Sequence, residues 1–222
     1  MNLPFTPEQF LNIFEYYNLS IWPFQIVLNL LAILIIFLCF KIFKYNNKII
    51  SGLLAFFWIW IGIVYHWIYF TSINKAAYVF GLFFIVQGMI FIFTGIFREK
   101  LIFRFQINIY SAIGIIIIFY ALIIYPLLGH FLGHIYPKSP TFGLPCPTTI
   151  FTFGILLFTE NKFPKYVMII PLIWSIIGFT AAVNLYIYED FGLLIAGLLG
   201  ITLLFIRDRK LPFTDQTPDN AI

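Results

Sequence analysis

GHFLGHIYPKSPTFGLPCPTT, from Gly129 to Thr149, is the stretch of sequence around which the rest of the chain is organised. It contains two of the three histidines, one of the two cysteines and four of the twelve prolines. Long apolar segments flank it on both sides. Polar and helix-breaking residues this concentrated predict an extracytoplasmic loop and helix start that cap a polar pocket.

The composition indicates an all-α, polytopic integral membrane protein. Of 222 residues, 62% are hydrophobic and 10% are charged, and the mean hydropathy is +0.97. These values exclude a soluble fold, and apolar runs of about twenty residues exclude a β-barrel. The N-terminus lacks the basic and short apolar regions of a cleavable signal, so the first span is expected to direct membrane targeting.

Apolar periodicity predicts seven transmembrane helices, each about one bilayer long at 1.5 Å per residue. An extracytoplasmic amphipathic helix within residues 1–21 precedes the bundle at 22–206, and a cytoplasmic tail at 207–222 follows it. The predicted spans are 22–43, 49–70, 76–97, 105–125, 142–159, 166–186 and 191–206.

The basic residues of the connections predict the orientation. Eleven of the thirteen Lys and Arg residues fall on one side of the predicted bundle, and only Lys75 and Lys138 fall on the other. The positive-inside rule therefore places the N-terminus outside and the C-terminus in the cytoplasm. The net charge of +4 needs no nucleic-acid partner, since topology explains the basic loops, and the expected partner is the lipid bilayer.

The first helix carries a start signal. Thr6 is the predicted N-cap, Pro7 the first helical residue, and Phe10, Phe14 and Tyr17 follow at helical spacing. We predict a short amphipathic helix on the membrane surface.

The fifth span is the weakest of the seven. Pro145 and Pro147 interrupt its first turns and leave only residues 148–158 as uninterrupted helix former. The sequence predicts buried irregular chain that leads into a helix with Pro147 near its start, and it leaves open whether this segment crosses fully or is partly re-entrant. Cys146 and Cys39 fall at opposite ends of their spans, which argues geometrically against a disulfide between them.

Two short sequence motifs recur and suggest one helix followed by three helical hairpins. They are FGL, at Phe80, Phe142 and Phe191, and Ile-Gly, at Ile61, Ile113 and Ile177. The middle hairpin has the longest connection because it contains the central stretch.

Polar side chains collect toward the predicted outer ends of the spans, which predicts an outward-facing polar pocket. Within about two turns of those ends lie Asn29, His66, Gln87, Thr148 and Asn184. Loop and turn residues complete the candidate set: His130, His134, Cys146, Thr149, Glu189 and Asp190.

The histidines predict a metal site. His130 and His134 are four residues apart, which on a helix puts both rings on one face. With His66, and with Glu189 or Asp190, they would bind zinc or another divalent transition metal. The alternative is that these histidines form hydrogen bonds with loop carbonyls or with Asp190.

The residues at the start of the fifth span also allow two interpretations. Thr148 and Thr149 are predicted to cap a helix whose amides could bind an anion. Cys146 either lines the pocket or is a small apolar residue in a tight turn.

Three further polar positions have structural alternatives to a role in the pocket. Gln87 can join two helices, and His66 can belong to an interfacial aromatic belt. Glu189 and Asp190 can be solvated residues of a tight turn.

Several motifs of this sequence resemble those of a known protein family. GHIYPKSPTFGLPCPTTIFTFG from Gly133 to Gly154, PFTPEQF from Pro4, WPFQ from Trp22 and ED at Glu189 are similar to a family of bacterial multi-pass membrane proteins of unknown function. The resemblance covers nearly the whole chain and implies a bacterial inner-membrane protein. It implies no activity, ligand or catalytic residue.

The favoured function is transport of a small solute or metal ion, by the chain alone or as a subunit of a transporter. A metal-dependent membrane hydrolase with a histidine cluster is the enzymatic alternative, and a non-catalytic interaction or sensory protein is the third. The sequence leaves enzyme activity undecided and favours its absence.

Overall fold

The computed structural model describes residues 4–210, and secondary structure in that range is helical. The helices are α1 (Pro7–Ile21), α2 (Phe24–Phe40), α3 (Asn46–Ser72), α4 (Ala77–Phe97), α5 (Ile109–Phe131), α6 (Pro145–Leu156), α7 (Lys165–Leu185) and α8 (Tyr188–Lys210). Helices α3, α4 and α5 each contain a π-helical stretch. The predicted tail at 207–222 lies mostly outside the described residues.

Helix α1 begins as predicted. The Thr6 hydroxyl accepts a hydrogen bond from the Gln9 amide, the Gln9 side chain accepts one from the Thr6 amide, and Pro7 occupies the first position. This capping box satisfies two amides that a helix start leaves free. The buried face of α1 carries Phe14 and Tyr17, so the helix packs on the bundle through that face. It meets α2 at an angle of 88°.

Within residues 4–210, five helices are long and apolar enough to cross a membrane: α3, α4, α5, α7 and α8. The bent pair of α1 and α2 raises this number to six if it is treated as one span. The outer surface of the helix bundle carries large apolar side chains, such as Leu30, Ile116 and Ile195, which are 58%, 66% and 58% exposed. Such a surface is unfavourable in water and suits lipid, so the protein is membrane-embedded.

The predicted fifth span is shorter than expected. Helix α6 has 12 residues, and all except Cys146 are buried. At 1.5 Å per residue it is about 18 Å long, well short of the hydrocarbon thickness of about 30 Å. It begins at Pro145, and the preceding residues Phe142, Gly143 and Leu144 are also buried. Buried, non-helical chain therefore leads into α6, as the two prolines predict.

Helix α6 lies at the centre of the bundle, in contact with α5, α7 and α8. Its Thr152 hydroxyl accepts a hydrogen bond of 3.1 Å from Trp58 Nε1 of α3. Against α5 the backbones approach closely, because a Cβ on Gly114 would lie 2.8 Å from the Gly154 carbonyl oxygen. Glycine at this crossing therefore lets the two helices pack directly.

The two ends of the bundle differ in charge. Of all thirteen Lys and Arg residues, only Lys75 and Lys138 follow the outer predicted connections, and the α3–α4 and α5–α6 connections carry them. We call this end, where α8 begins, the Glu189 end, and the opposite end, where α8 finishes, the Arg207 end.

At the Arg207 end the buried Arg207 side chain is fully hydrogen-bonded. Its guanidinium donates to the Thr159 carbonyl and hydroxyl, to the Asn161 carbonyl and to the Asp208 carboxylate. The other oxygen of Asp208 accepts a bond of 2.9 Å from the Phe163 amide. Each charge is thus paired and hydrogen-bonded, which is the condition for burying one.

Candidate functional site

The turn between α7 and α8 brings two carboxylates into the protein interior. Helix α7 ends at Leu185, Tyr186 adopts φ +61°, and the chain re-enters a helix at Tyr188. Glu189 and Asp190 are 0% and 4% exposed, so they are not the solvated turn residues of the sequence-based alternative. Their position at a helix start is electrostatically favourable for negative charge.

His134 pairs with Glu189 because α5 ends in a glycine turn. Gly133 has φ +95°, and the amides of Gly133 and His134 donate to the carbonyls of His130 and Gly129. This Schellman arrangement reverses the chain at a residue that tolerates positive φ. It places His134 Nδ1 2.7 Å from Glu189 Oε1.

This hydrogen bond to Glu189 raises the pKa of His134 above its ordinary value, although partial burial of the ring opposes the shift. The raised pKa favours the imidazolium form near neutral pH. His134 and Glu189, 2.7 Å apart, form an ion pair when the imidazole is protonated.

Asp190 and Glu189 are further held by aromatic residues and by a thiol. The Tyr125 hydroxyl donates to Asp190 Oδ1, and the Tyr120 hydroxyl donates 2.7 Å to the Glu189 carbonyl. The Cys146 thiol lies close enough to interact with the Asp190 carboxylate. Glu189 Oε2 has no hydrogen-bond partner among the described residues. Of these two neighbouring carboxyl groups, only Glu189 is hydrogen-bonded to the imidazole of His134, and one Glu189 oxygen remains without a partner among the described residues.

A cavity of about 520 Å³ extends from Asp190 into the bundle. Asp190, Tyr125 and Cys146 line one part of it, and Trp174 lines another. Trp174 lies near the midpoint of α7, about 16 Å along the helix from Leu185. The cavity therefore joins the Glu189 end to the level of the middle of the bundle.

Most of the cavity wall is apolar, in contrast to the polar pocket that the sequence predicts. The lining includes aromatic side chains from four helices and from the segment before α1: Phe5, Phe10, Phe14, Tyr65, Phe70, Phe80 and Trp174. Polar atoms occur at the floor formed by Asp190 and Cys146, and along an edge formed by Asn74, Thr180 and Asn184. Thr180 and Asn184 are exposed, so this edge marks the mouth.

Helix α1 fastens the central loop beside the cavity. Asn18 Nδ2 donates to the carbonyls of Pro137 and Ser139, and Asn18 Oδ1 accepts from Gln25 Nε2 and from the Thr141 hydroxyl. All hydrogen-bonding atoms of the Asn18 side chain amide are thereby used. The loop before α6 is thus part of the packed structure.

The structure does not bring the three histidines together. His66 is fully buried and contacts the rings of Phe84 and Trp174, His130 is exposed at the end of α5, and His134 pairs with Glu189. The helical spacing of His130 and His134 does not align them, because Gly133 ends the helix between them.

Within residues 4–210, no group of three His, Cys, Asp or Glu side chains is arranged to hold a metal. Metal binding through His66, His130 and His134 stays a prediction. Metal analysis of the purified protein, compared with a His130→Ala/His134→Ala variant, tests it. Stoichiometric metal that the double substitution removes would support it.

The prediction that threonines cap α6 is wrong. The helix starts three residues before Thr148, and the N-cap position is Leu144. The Thr148 hydroxyl instead accepts a bond of 3.2 Å from the Gly143 amide, and the Thr149 hydroxyl has no partner among the described residues. Because Pro145 and Pro147 lack amide hydrogens, this helix start has few free donors for an anion.

Three other predicted pocket residues lie outside the carboxylate cluster. Gln87 is at the midpoint of α4, deeper than predicted, and donates 3.0 Å to the Val167 carbonyl, so it joins two helices. His66 is buried and has no hydrogen bond on either ring nitrogen among the described residues, so it is not an interfacial belt residue. Asn184 lies at the cavity mouth and donates to the Thr180 carbonyl.

The sequence interpretation missed the aromatic residues of the site. Tyr125 and Tyr120 bind the carboxylate turn, and Trp174 lines the inner part of the cavity. In a chain with 13 Tyr and 5 Trp, nothing local distinguishes these three. Their only sequence signal is a polar-tipped aromatic inside an apolar run.

Comparison with known proteins identifies a family. The sequence profile of DUF6064, a family of unknown function, matches residues 7–214. No curated protein and no solved structure matches the chain. Membership of a family of unknown function is thus confirmed. That the GHIYP…TFG motif is characteristic of this family stays a prediction. With the match covering nearly the full length, the chain belongs to the DUF6064 family.

Proposed function

We propose that this chain is a seven-span protein of the bacterial cytoplasmic membrane that binds a small solute from the non-cytoplasmic side, as a carrier or a subunit of one. The observation that carries the proposal is the cavity of about 520 Å³ that opens at the Glu189 end and reaches Trp174. This volume is typical of sites for small organic ligands.

The distribution of charge supports the orientation. The Glu189 end contains only Lys75 and Lys138, whereas the opposite end contains the remaining eleven basic residues. By the positive-inside rule the cavity then opens away from the cytoplasm.

The broken start of α6 supports a carrier. Cys146 and the flanking prolines line the cavity, and non-helical chain precedes them. In many secondary carriers, discontinuous helices near the membrane middle form the solute site and take part in the alternation between two openings. A short helix enclosed by longer ones has that layout here.

Cysteine labelling tests both orientation and access. In a background with Cys39→Ala and Cys146→Ala, Lys75→Cys and Lys44→Cys report the two ends, because both positions are exposed. An impermeant maleimide added to intact cells should label the first and should label the second only after permeabilisation. The reverse result would contradict the orientation.

Access to the cavity is tested on α7 in the same background. Ala181 lines the cavity, whereas Ile176, on the same helix, is 51% exposed on an apolar surface. Ala181→Cys should react with a water-soluble thiol reagent, and Ile176→Cys should not, since a lipid-facing thiol has no water to ionise in. Failure of Ala181→Cys to react would contradict a water-accessible solute site.

The other functions predicted from the sequence remain predictions. A metal-dependent hydrolase requires the metal site predicted at His66, His130 and His134, and an interaction or sensory protein requires a partner. No specific contact among the described residues favours either of these two functions.

A further inference from the structure

We infer that the cavity selects organic cations, namely molecules with an ammonium group on an apolar body, over neutral and anionic molecules of the same size. This inference rests on the proposed solute site and specifies its ligand. It follows from the juxtaposition of a buried carboxylate, Asp190, with an aromatic wall.

The first argument is the charge of the lining. Asp190 is the acidic residue of the cavity wall, and among the described residues that line it there is no Lys or Arg. Glu189 lies next to it in the chain, and His134 pairs with Glu189. Two carboxylates with one imidazole leave the floor negative when both are ionised. A buried carboxylate that lacks a counter-charge is costly, so a bound cation would offset that cost.

The second argument is the aromatic wall. Phe70 stacks on Tyr65 at 5.6 Å between centroids, and Phe80 meets Trp174 edge-on at 5.5 Å. Ring faces carry partial negative charge and attract ammonium groups, most strongly in desolvated sites. The same rings can pack against the apolar part of a ligand. The aromatic wall and the carboxyl group of Asp190 therefore favour the same class of molecule.

The third argument concerns the donors. Tyr125 uses its hydroxyl hydrogen on Asp190, and Asn184 uses an amide hydrogen on the Thr180 carbonyl. An anion could accept a hydrogen bond from Trp174 Nε1, which has no partner among the described residues, but it would meet no cationic side chain in the wall and would lie near the Asp190 carboxyl group. A neutral apolar molecule would fill the volume and leave the carboxylate without a counter-charge.

Paired thiol reagents of opposite charge test the inference. Trimethylammonium-ethyl and sulfonato-ethyl methanethiosulfonate react with Ala181→Cys in the cysteine-free background, and each rate is divided by its rate at Lys75→Cys. We expect the cationic reagent to be favoured about tenfold or more, because an opposite charge close by in a partly buried site has an effect at least this large. Asp190→Asn should remove most of this preference, and Glu160→Gln, at the opposite end of the bundle, should leave it unchanged.

A second measurement keeps Asp190 intact and so does not depend on the folding of the Asp190→Asn variant. N-ethylmaleimide labels Ala181→Cys in the presence of benzyltrimethylammonium, of its neutral carbon analogue neopentylbenzene, or of phenylmethanesulfonate. We expect only the cation to slow labelling. Equal reaction of both charged reagents, or equal protection by the neutral analogue, would overturn cation selectivity while the solute site stands. Absence of any reaction at Ala181→Cys would instead contradict the proposed function itself.

Discussion

The two ends of α8 each bury charge, and they do so in opposite ways. Asp190 and Arg207 lie about 25 Å apart along one helix. At the Arg207 end, the guanidinium and the Asp208 carboxylate have partners for their charges and hydrogen bonds. At the Glu189 end, Glu189 Oε2 has none among the described residues, and a cavity adjoins the neighbouring carboxylate. A saturated charge cluster stabilises the fold, whereas an unsaturated one beside a cavity can bind a ligand.

The largest expected effect comes from removing a charge from the fully hydrogen-bonded cluster at the Arg207 end. Arg207→Met removes the partner of Asp208 and leaves a buried, uncompensated carboxylate. We expect a loss of about 3 to 5 kcal/mol in the free energy of unfolding, measured by thermal unfolding in detergent. Arg209→Met, at an exposed position two residues on, is the matched control and should be close to neutral. Similar losses in both variants would contradict a specific role for Arg207.

A smaller loss is expected from the turn that places His134. At Gly133, where φ is +95° and a Cβ would meet no atom within 4 Å, alanine would be strained by its backbone alone. We expect Gly133→Ala to cost about 1 to 2 kcal/mol in the free energy of unfolding. Gly52→Ala, inside α3, would make only an ordinary contact at 3.7 Å and should be neutral or slightly stabilising.

Removing charge from the unsaturated end should cost little. In Glu189→Gln the amide oxygen can still accept from His134, and the amide nitrogen replaces an oxygen that has no partner among the described residues. We expect a change of about 1 kcal/mol or less in the free energy of unfolding. Asp208→Asn should cost more, since both of its oxygens accept hydrogen bonds. If Glu189→Gln proved the more destabilising, the contrast between the two ends would be wrong.

The smallest expected effect is a dependence on pH. The folded pKa of His134 is raised by Glu189, so the folded state binds the proton more tightly than the unfolded state, whose pKa is about 6.5. The resulting stabilisation is complete below that value and is lost as pH rises through the folded pKa. The melting temperature of the wild type should therefore exceed that of His134→Gln most at pH 5.5 and least at pH 8.5.

The Arg207 end provides the control for this titration, because arginine stays charged over the same range. The difference in melting temperature between wild type and Arg209→Met, a substitution at an exposed position of that end, should be the same at both pH values. A His134→Gln difference that grows with pH would contradict the sign of the pKa shift.

Much of the fold can be predicted from local sequence. Apolar runs predict the helices, and Thr6 with Pro7 predicts where α1 starts. The end of α5 could not be predicted, since Pro126 indicates a stop at Tyr125 but the helix continues to Phe131. The π-helical turn before Pro126 accommodates a residue that lacks an amide hydrogen. Seven crossings and their orientation remain predictions.

The candidate site could be predicted only in part. Glu189, Asp190, Cys146 and His134, which the sequence places among the candidate pocket residues, lie close together in the structure, and their role in a pocket stays a prediction. The spacing of His130 and His134 misled the metal prediction, since Gly133 separates them. The aromatic wall of the cavity depends on how distant helices pack, and periodicity carries no information about that.

Helix α6 has a consequence for biogenesis. A 12-residue segment that begins with two prolines is too short to partition into a bilayer alone, and in the finished protein it has no face toward lipid. Its stable insertion requires α7 and α8, which follow it in the chain and contact it, to close around it. Truncation after α6 should therefore yield a product that the cell's membrane proteases degrade.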